Sequence, residues 1–344
     1  MNVSFKEFKD FLYESSGSGD EAAYSVHLQK IMEDMNVFDK IYTDPLNNVI
    51  AEVNSGCKCH IMLEAHYDEI SAAVSHICEN GFIQIRPVGG VDLRCLPSSE
   101  ITVNGLNGIV CSVPPHLMSP EDRTTVRDFN DLYIDLGLDY SNVRNKISVG
   151  DRVIFNKNII KLMNGRISAG AIDNKAGVYA VFKALEKLSL LKENNKMNIS
   201  VSALFSTQEE VGLRGARTGS YTINPDEAVS IDVTFAKQPG TAGPELGSGA
   251  VVEFSPVIDK KISKKLYDTA VAKKIKHTIN VESGFGGTDG DVIPRTKNGV
   301  PTAVISIPIR NMHTPVEVAD MKDIKSAAEL LYEYVCLRNK EFIS

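Results

Sequence analysis

The stretch NISVSALFSTQEEVGLRGA occupies residues 198–216 and decides the fold. Its first half is a short apolar run, which is typical of a buried β-strand. Its second half contains two adjacent acidic residues, Glu209 and Glu210. The segment before it carries an apolar stripe at helical spacing, formed by Val178, Val181, Phe182, Leu185 and Leu188. A strand that follows a helix therefore leads directly into two carboxylates.

The alternation of strands and helices continues on both sides of this stretch. Apolar strands are predicted at CHIMLEAH (59–66), EAVSIDVT (227–234) and TAVISIP (302–308), with a helix near 262–275. A closing helix presents an apolar face made of Met321, Ile324, Ala328 and Leu331. This alternation predicts an α/β fold in which helices cover both faces of a sheet.

The sequence pattern changes between the first predicted strand and the later strands and helices. Short β-like runs such as FIQIRPV (82–88) and EITVNG (100–105) alternate with glycine, proline and asparagine turns. We therefore expect one α/β domain, residues 1–70 and 164–344, interrupted by a small β-rich insert at 71–163.

Composition narrows the classes of partner and compartment. The net charge of -7 argues against a nucleic-acid partner, because such binding usually needs a basic patch. The amino terminus has no signal-peptide pattern, and no run of about 18 apolar residues predicts a membrane span. Six cysteines in 344 residues are too few for a disulfide scaffold. We expect a cytoplasmic protein that binds neither nucleic acid nor membrane.

Two of the histidines stand out because of their neighbours. His66 follows the strand 59–66, at the sheet edge where ligands bind in open α/β folds. Asp68 lies two residues later, and carboxylates commonly accept the second ring N–H of a metal-bound histidine. His313 follows the strand 302–308, although a loop histidine beside a proline turn would show the same pattern.

Acidic residues lie at three points between these histidines. Asp173 precedes the long helix, and the pair Glu209 and Glu210 follows a strand, although that pair alone could be an exposed turn. Asp232 lies inside an apolar strand, where a charged side chain is costly unless it is paired or coordinated.

These side chains form a coherent set for a metal site. Histidines and carboxylates suit zinc-like ions, and one carboxylate can bridge two ions about 3.5–4 Å apart. Three carboxylates and one hydroxide would balance the charge of two divalent ions. Two such ions can lower the pKa of a water to about 7, and Glu209, outside the ligand set, could move its proton to a leaving amine. The predicted ligands are His66, Asp173, Glu210, Asp232 and His313.

In combination the motifs point to a known family. AHYDEI, AGAIDNKAG, STQEEVGLRGA, IDVTFA, GGTDGDVI and IPIRNMHTPVEV occur in this order, with RPVGGVDLR, GIVCSVPPHL and DLYIDLG inside the insert. The chain resembles, over nearly its whole length, the dinuclear metal aminopeptidases that assemble into tetrahedral shells. These are the TET aminopeptidases of metallopeptidase family forty-two.

The resemblance implies an enzyme that removes N-terminal residues from peptides with two divalent ions. One ion would be held by His66, Asp173 and Asp232, and the other by Asp173, Glu210 and His313, so that Asp173 bridges them. Zinc is the expected metal, and cobalt or manganese stays open.

Further features are implied by the same resemblance. Glu209 would be the general acid/base, Asp68 would orient His66, and the Asp173–Asn174 peptide bond would be cis. The insert would be a PDZ-like domain that mediates subunit contacts. A homo-oligomer would follow, either a tetrahedral dodecamer whose active sites face an internal chamber or a dimer.

The chain departs from the family pattern at a few places. Ser71 stands where a glycine usually continues the first motif, LRCLPSSEITV lacks the common Gly-Gln, and Asn311 stands where an aromatic residue is frequent. No departure removes a predicted metal ligand. They bear on substrate preference and on contacts between subunits.

Three other functions would account for parts of this pattern. The pair Glu209 and Glu210 could serve a glycoside hydrolase, but that chemistry needs carboxylates about 5–9.5 Å apart on either side of the bond. The chain also has no tryptophan for a sugar platform. A dinuclear carboxypeptidase or deacylase would share the same metal site. A binding protein without activity would not need the complete ligand set.

Overall fold

The computed structural model describes residues 1–121, 123–126, 128–193 and 196–342. Among these residues, the α-helices are α1 Phe5–Tyr13, α2 Ala22–Met35, α3 Tyr140–Lys146, α4 Ile172–Glu193, α5 Arg214–Ile223, α6 Lys260–Lys273 and α7 Met321–Glu341. The strands are β1 Lys40–Thr43, β2 Val49–Val53, β3 His60–His66, β4 Ser71–Ile77, β5 Ile83–Val88, β6 Glu100–Val103, β7 Leu106–Val110, β8 Tyr133–Asp135, β9 Arg152–Phe155, β10 Ile160–Lys161, β11 Arg166–Ala169, β12 Ser200–Ser206, β13 Glu227–Phe235, β14 Ala250–Phe254, β15 His277–Val281, β16 Thr302–Arg310 and β17 Glu317–Asp320.

A large mixed sheet forms the centre of the molecule. Its main path runs in the order β1-β2-β12-β3-β13-β16-β17-β11-β10, with β14 and β15 branching from β16. The four central strands β12, β3, β13 and β16 are mutually parallel. Their residues are buried almost throughout and mostly apolar, as expected for parallel strands covered on both sides. Their carboxyl ends therefore meet at one edge of the sheet.

Hydrophobic cores cover both faces of this sheet. Successive side chains of a strand point to opposite faces, and β3 shows the consequence. Leu63 packs into the larger core with Tyr179 of α4 and Leu331 of α7. Its neighbour Met62 packs on the other side with Ala216 of α5. The predicted α/β sheet with helices on both faces is confirmed.

A second, smaller core belongs to the inserted β-rich module. Strands β4, β5, β8, β7, β6 and β9 close into a barrel that spans Ser71–Phe155. Its interior is filled by apolar side chains such as Ile85, Ile101 and Val153. The short strand β10 pairs with β11 in the large sheet. The β-rich insert is thus present, and its division from the rest of the chain at residues 71 and 163 stays a prediction.

Among the described residues, no helix combines the length and the continuous apolar character needed to cross a membrane.

Candidate metal centre

The parallel strands deliver most of the predicted site residues to one place. His66 is the last residue of β3, and Asp232 lies on the adjacent β13. Glu209 and Glu210 follow β12, which pairs with β3 on its other side. His313 follows β16, the neighbour of β13. Ligands bind beyond the carboxyl ends of strands in open α/β sheets, and these side chains lie at that edge.

Asp173 reaches the same place from the start of α4. Its backbone N–H donates to Glu317 Oε2 at 3.0 Å. The Asp173–Asn174 peptide bond is cis, as the resemblance implied. The Asn174 side chain donates to the carbonyl oxygen of Ile231 at 2.7 Å, which ties the turn to β13. The backbone of this turn is therefore held at both sides of the aspartate.

The two Asp173 oxygens face different histidines. Oδ1 lies 3.3 Å from His66 Nε2, and Oδ2 lies 3.4 Å from His313 Nε2. Asp232 Oδ1 is 3.6 Å from His66 Nε2, and Glu210 Oε2 is 3.4 Å from His313 Nε2. Two groups of three result, each with its ligand atoms within 4.8 Å of one another. The geometry brings all five predicted ligands together, with Asp173 shared by both groups.

These groups fit metal ions on two observations. Asp173 Oδ1 is buried and has no hydrogen-bond partner within the described residues, although a buried carboxylate oxygen normally has one. The donor atoms are imidazole nitrogens and carboxylate oxygens, which suit zinc-like ions. A cation between these atoms would satisfy the orphaned oxygen.

The other nitrogen of each histidine is held by a backbone carbonyl. His66 Nδ1 lies 3.3 Å from the Asp68 carbonyl oxygen, and His313 Nδ1 lies 3.2 Å from that of Gly90. A carbonyl can only accept, so Nδ1 carries the proton in both rings. In its neutral form each ring therefore presents the Nε2 lone pair to the acidic side chains, as a metal-binding histidine requires.

Burial and crowding perturb the acids of this site. Burial raises the pKa of Glu209 to about 10 and that of Glu210 to about 8, and it also raises the pKa of Asp232. Burial alone would raise the pKa of Asp173, but the two histidine rings that face its oxygens outweigh burial and lower that pKa. The hydrogen bond with Asp173 raises the pKa of His313 to about 9. The site holds more buried negative charge than its histidines can compensate.

Asp68 does more than its predicted contact with His66. Its Oδ1 lies 3.5 Å from His66 Nδ1, and it also accepts the backbone N–H of Glu209 at 3.0 Å. Its Oδ2 accepts the N–H of Glu210 at 3.2 Å and the hydroxyl of Ser18 at 2.6 Å. One fully buried carboxylate thus links the histidine to the loop that carries both glutamates.

Glu209 stands beside the two ligand groups and belongs to neither. Its Oε2 is 3.9 Å from His66 Nε2, farther than the oxygens of Asp173 and Asp232. It lines the open cleft together with the ligands. This is the placement that a group moving protons at the metal centre needs.

Two supporting residues could not be recognised from the sequence. Glu317 is almost completely buried, and its two oxygens accept the backbone N–H groups of Asp173 and His313 at 3.0 and 2.9 Å. Gly90 belongs to the loop after β5 of the barrel, and a Cβ there would lie 2.7 Å from His313 Nδ1. The spacing of Glu317 four residues after His313 is the only local signal, and it is also that of an ordinary turn.

An open α/β sheet with histidines and carboxylates gathered at its carboxyl edge is the arrangement of a metal-dependent hydrolase. Residues 47–330 match the family described as M42 glutamyl aminopeptidase. The chain belongs to this metallopeptidase family, whose members are exopeptidases, and it is a hydrolase of that kind.

Individual relatives agree with this assignment. The lysyl aminopeptidase of Pyrococcus furiosus is 35% identical over 86% of this chain and 86% of its own length. An aminopeptidase from the archaeon Desulfurococcus kamchatkensis superposes with a TM-score of 0.89 at 32% identity, covering 99% of this chain and 96% of that one. The TET1 peptidase of Pyrococcus horikoshii, whose structure is described as a tetrahedron or a large octahedral shell, gives 0.84 at 28% identity, with 96% and 99% covered.

Proposed function

We propose that this protein removes N-terminal residues from peptides with two divalent metal ions and with Glu209 as the general acid/base. The shared position of Asp173 carries the proposal, since each of its oxygens faces a different histidine and a different ligand group. One ion would be held by His66, Asp173 and Asp232, and the other by Asp173, Glu210 and His313.

When bound, such ions supply Lewis-acid chemistry that polarises a peptide carbonyl and lowers the pKa of a water. Zinc is the metal we propose, and cobalt and manganese are the alternatives that the same donors accept. Glu209 takes a proton from the attacking water and delivers it to the amine of the leaving group. Asp68 holds the backbone of Glu209 and the ring of His66 in fixed relation during this transfer.

The assembly and location belong to the same proposal. We propose a cytoplasmic protein. We also propose a homo-oligomer, either the tetrahedral dodecamer or a dimer, because the TET1 peptidase of Pyrococcus horikoshii is described as assembling into a tetrahedron or a large octahedral shell. The barrel would supply subunit contacts as an insert at residues 71–163. No nucleic acid or membrane is a partner in this proposal, and the substrates are peptides.

Peptides with free and blocked amino termini test the activity. The metal-loaded enzyme should shorten a free peptide from its amino terminus and leave an N-acetylated copy intact. A chelator should abolish the cleavage, and zinc, cobalt or manganese should restore it to different extents. Mass spectrometry of the products checks all of these. Cleavage of the acetylated copy alone would indicate a deacylase, and cleavage that survives the chelator would refute the metal dependence.

The contact between Gly90, in the loop after β5, and His313 leads to a second prediction, which concerns metal affinity. Gly90→Ala should weaken the metal group of Asp173, Glu210 and His313 by roughly 10–100-fold, as loss of a histidine's supporting contact does. The added Cβ would lie 2.7 Å from His313 Nδ1, so the ring must move.

Elemental analysis and metal titration of the purified variant measure this effect. Gly284→Ala is the matched control, because a Cβ at Gly284 meets no atom within 4 Å and the backbone there needs no positive φ. It should bind metal like the natural chain. A Gly90→Ala variant with unchanged affinity at both groups would show that the barrel does not position His313.

A further inference from the structure

A second cavity adjoins the cleft that contains the metal centre. It is open on one side, has a volume of about 70 Å³ and shares wall residues with the cleft, among them Val233, Thr234 and Glu282. Val233 directly follows the predicted ligand Asp232 on β13. A substrate whose scissile bond lies at the metal centre would therefore have this cavity beside its terminal residue.

The floor of this cavity carries a buried carboxylate without a cationic partner. Glu253 lies on β14 and is only 7% exposed. Its Oε2 accepts a hydrogen bond from the Asn280 side chain at 2.9 Å, and the same amide donates to Glu282 at 2.8 Å. Among the described residues, Glu253 forms no ion pair, and burial raises its pKa. Buried charges in proteins are normally paired with an opposite charge. Glu253 has no such partner, and a cationic ligand could supply one.

The rest of the lining fits a long cationic side chain. Asp291 adds a third carboxylate, and the lining includes no lysine, arginine or histidine within the described part of the chain. Val233, Ile258 and Val304 provide an apolar wall. Lysine and arginine bury methylene stems against apolar surface while their charged heads stay with polar partners. Both halves of such a side chain find a matching surface here.

We propose that this cavity binds the side chain of a basic N-terminal residue, so that the enzyme prefers peptides that begin with lysine or arginine. The cation would lie between Glu253 and Glu282, and the apolar wall would contact the methylenes. The inference rests on the proposed aminopeptidase function and adds its substrate class.

Paired substrates test the charge separately from the shape. Lysyl and norleucyl p-nitroanilides share a straight four-carbon stem, and only the lysyl compound carries an ammonium group. With the metal-loaded natural chain, kcat/KM should be at least about tenfold higher for lysyl, since hydrogen bonds to charged groups contribute at this scale. Arginyl should resemble lysyl, and glutamyl should be the poorest substrate. A preference for norleucyl over lysyl would overturn the proposal.

Glu253→Gln then identifies the residue responsible. It should lower kcat/KM for lysyl by about 10–100-fold and leave norleucyl within a few-fold, because only the charge is removed. Glu79→Gln is the matched control, because Glu79 is exposed in the turn after β4 and its loss changes the net charge equally. Equal losses on both substrates would show that Glu253 is structural and would overturn its assignment.

A second variant covers the case in which Glu253→Gln does not fold. Glu282 is exposed at the rim, so Glu282→Gln should fold and should lower the lysyl-to-norleucyl ratio by a smaller factor. An unchanged ratio in that variant would count against the pocket. If leucyl is cleaved and lysyl is not, only the specificity is wrong. If no free aminoacyl substrate is cleaved, the proposed function itself fails.

Discussion

Glu209→Gln should lower kcat by about two to four orders of magnitude while both metal groups keep their affinity. A positioned proton-transfer group contributes a factor of this size, and glutamine cannot carry the proton. The side chain belongs to neither group of ligands, and its nearest approach to a ligand ring is 3.9 Å. Glutamine has the same size and can occupy the same partly buried place, so the surroundings need not move.

The adjacent glutamate provides the control. Glu210 Oε2 lies 3.4 Å from His313 Nε2 within a ligand group. Glu210→Gln should therefore lower metal affinity, and its activity should fall because metal is lost. Steady-state kinetics on one aminoacyl substrate, with elemental analysis of the same samples, separates the two outcomes. If Glu209→Gln retained activity within a few-fold, the base would have to be reassigned. If it lost metal as Glu210→Gln does, Glu209 would be a ligand.

Much of this site could be predicted because its residues follow strands. His66 ends one strand, Glu210 and His313 lie in the loops after two others, and Asp232 lies inside a fourth. The carboxyl ends of adjacent parallel strands meet at one edge, so a one-dimensional pattern predicts a three-dimensional cluster. Tertiary structure was needed only to show that β12, β3, β13 and β16 are neighbours in that order.

The supporting contacts could not be predicted, because they join distant segments without a local pattern. Ser18 reaches Asp68 across 50 residues of sequence, and Gly90 reaches His313 across 223. Glu317 looks like a charged residue at the start of a surface strand, yet it is buried with both oxygens occupied. Such roles depend on which backbone groups the fold places next to a side chain. A single sequence does not contain that information.

The cavity beside the metal centre could not be predicted from the sequence either, because it depends on how strands pair. Glu253 lies in the apolar run of β14, and Asn280 lies on β15, which pairs with it in parallel. The pairing places residues 253 and 280 opposite each other. An isolated acidic residue in a strand was visible in the sequence, but its neighbours and the space beside it depend on strand register.

Asp173→Asn should have the widest effect on metal binding, because the aspartate is shared. Its two oxygens face His66 and His313 at 3.3 and 3.4 Å, and the side chain is almost completely buried. Asparagine keeps the size but removes the charge and presents an N–H₂ group, which cannot donate electrons to a cation. We expect affinity to fall by at least about 100-fold at both groups and activity to become undetectable.

Asp232→Asn separates the loss of a bridge from the loss of any one ligand. Asp232 belongs to the group with His66 and Asp173, and it takes no part in the group with Glu210 and His313. Its asparagine variant should therefore keep one tightly bound ion and lose the other, whereas Asp173→Asn should keep neither. Metal titration followed by elemental analysis after gel filtration counts the ions in each. Two tightly bound ions in Asp173→Asn would contradict the bridge, because each histidine would then hold its ion without the shared carboxylate.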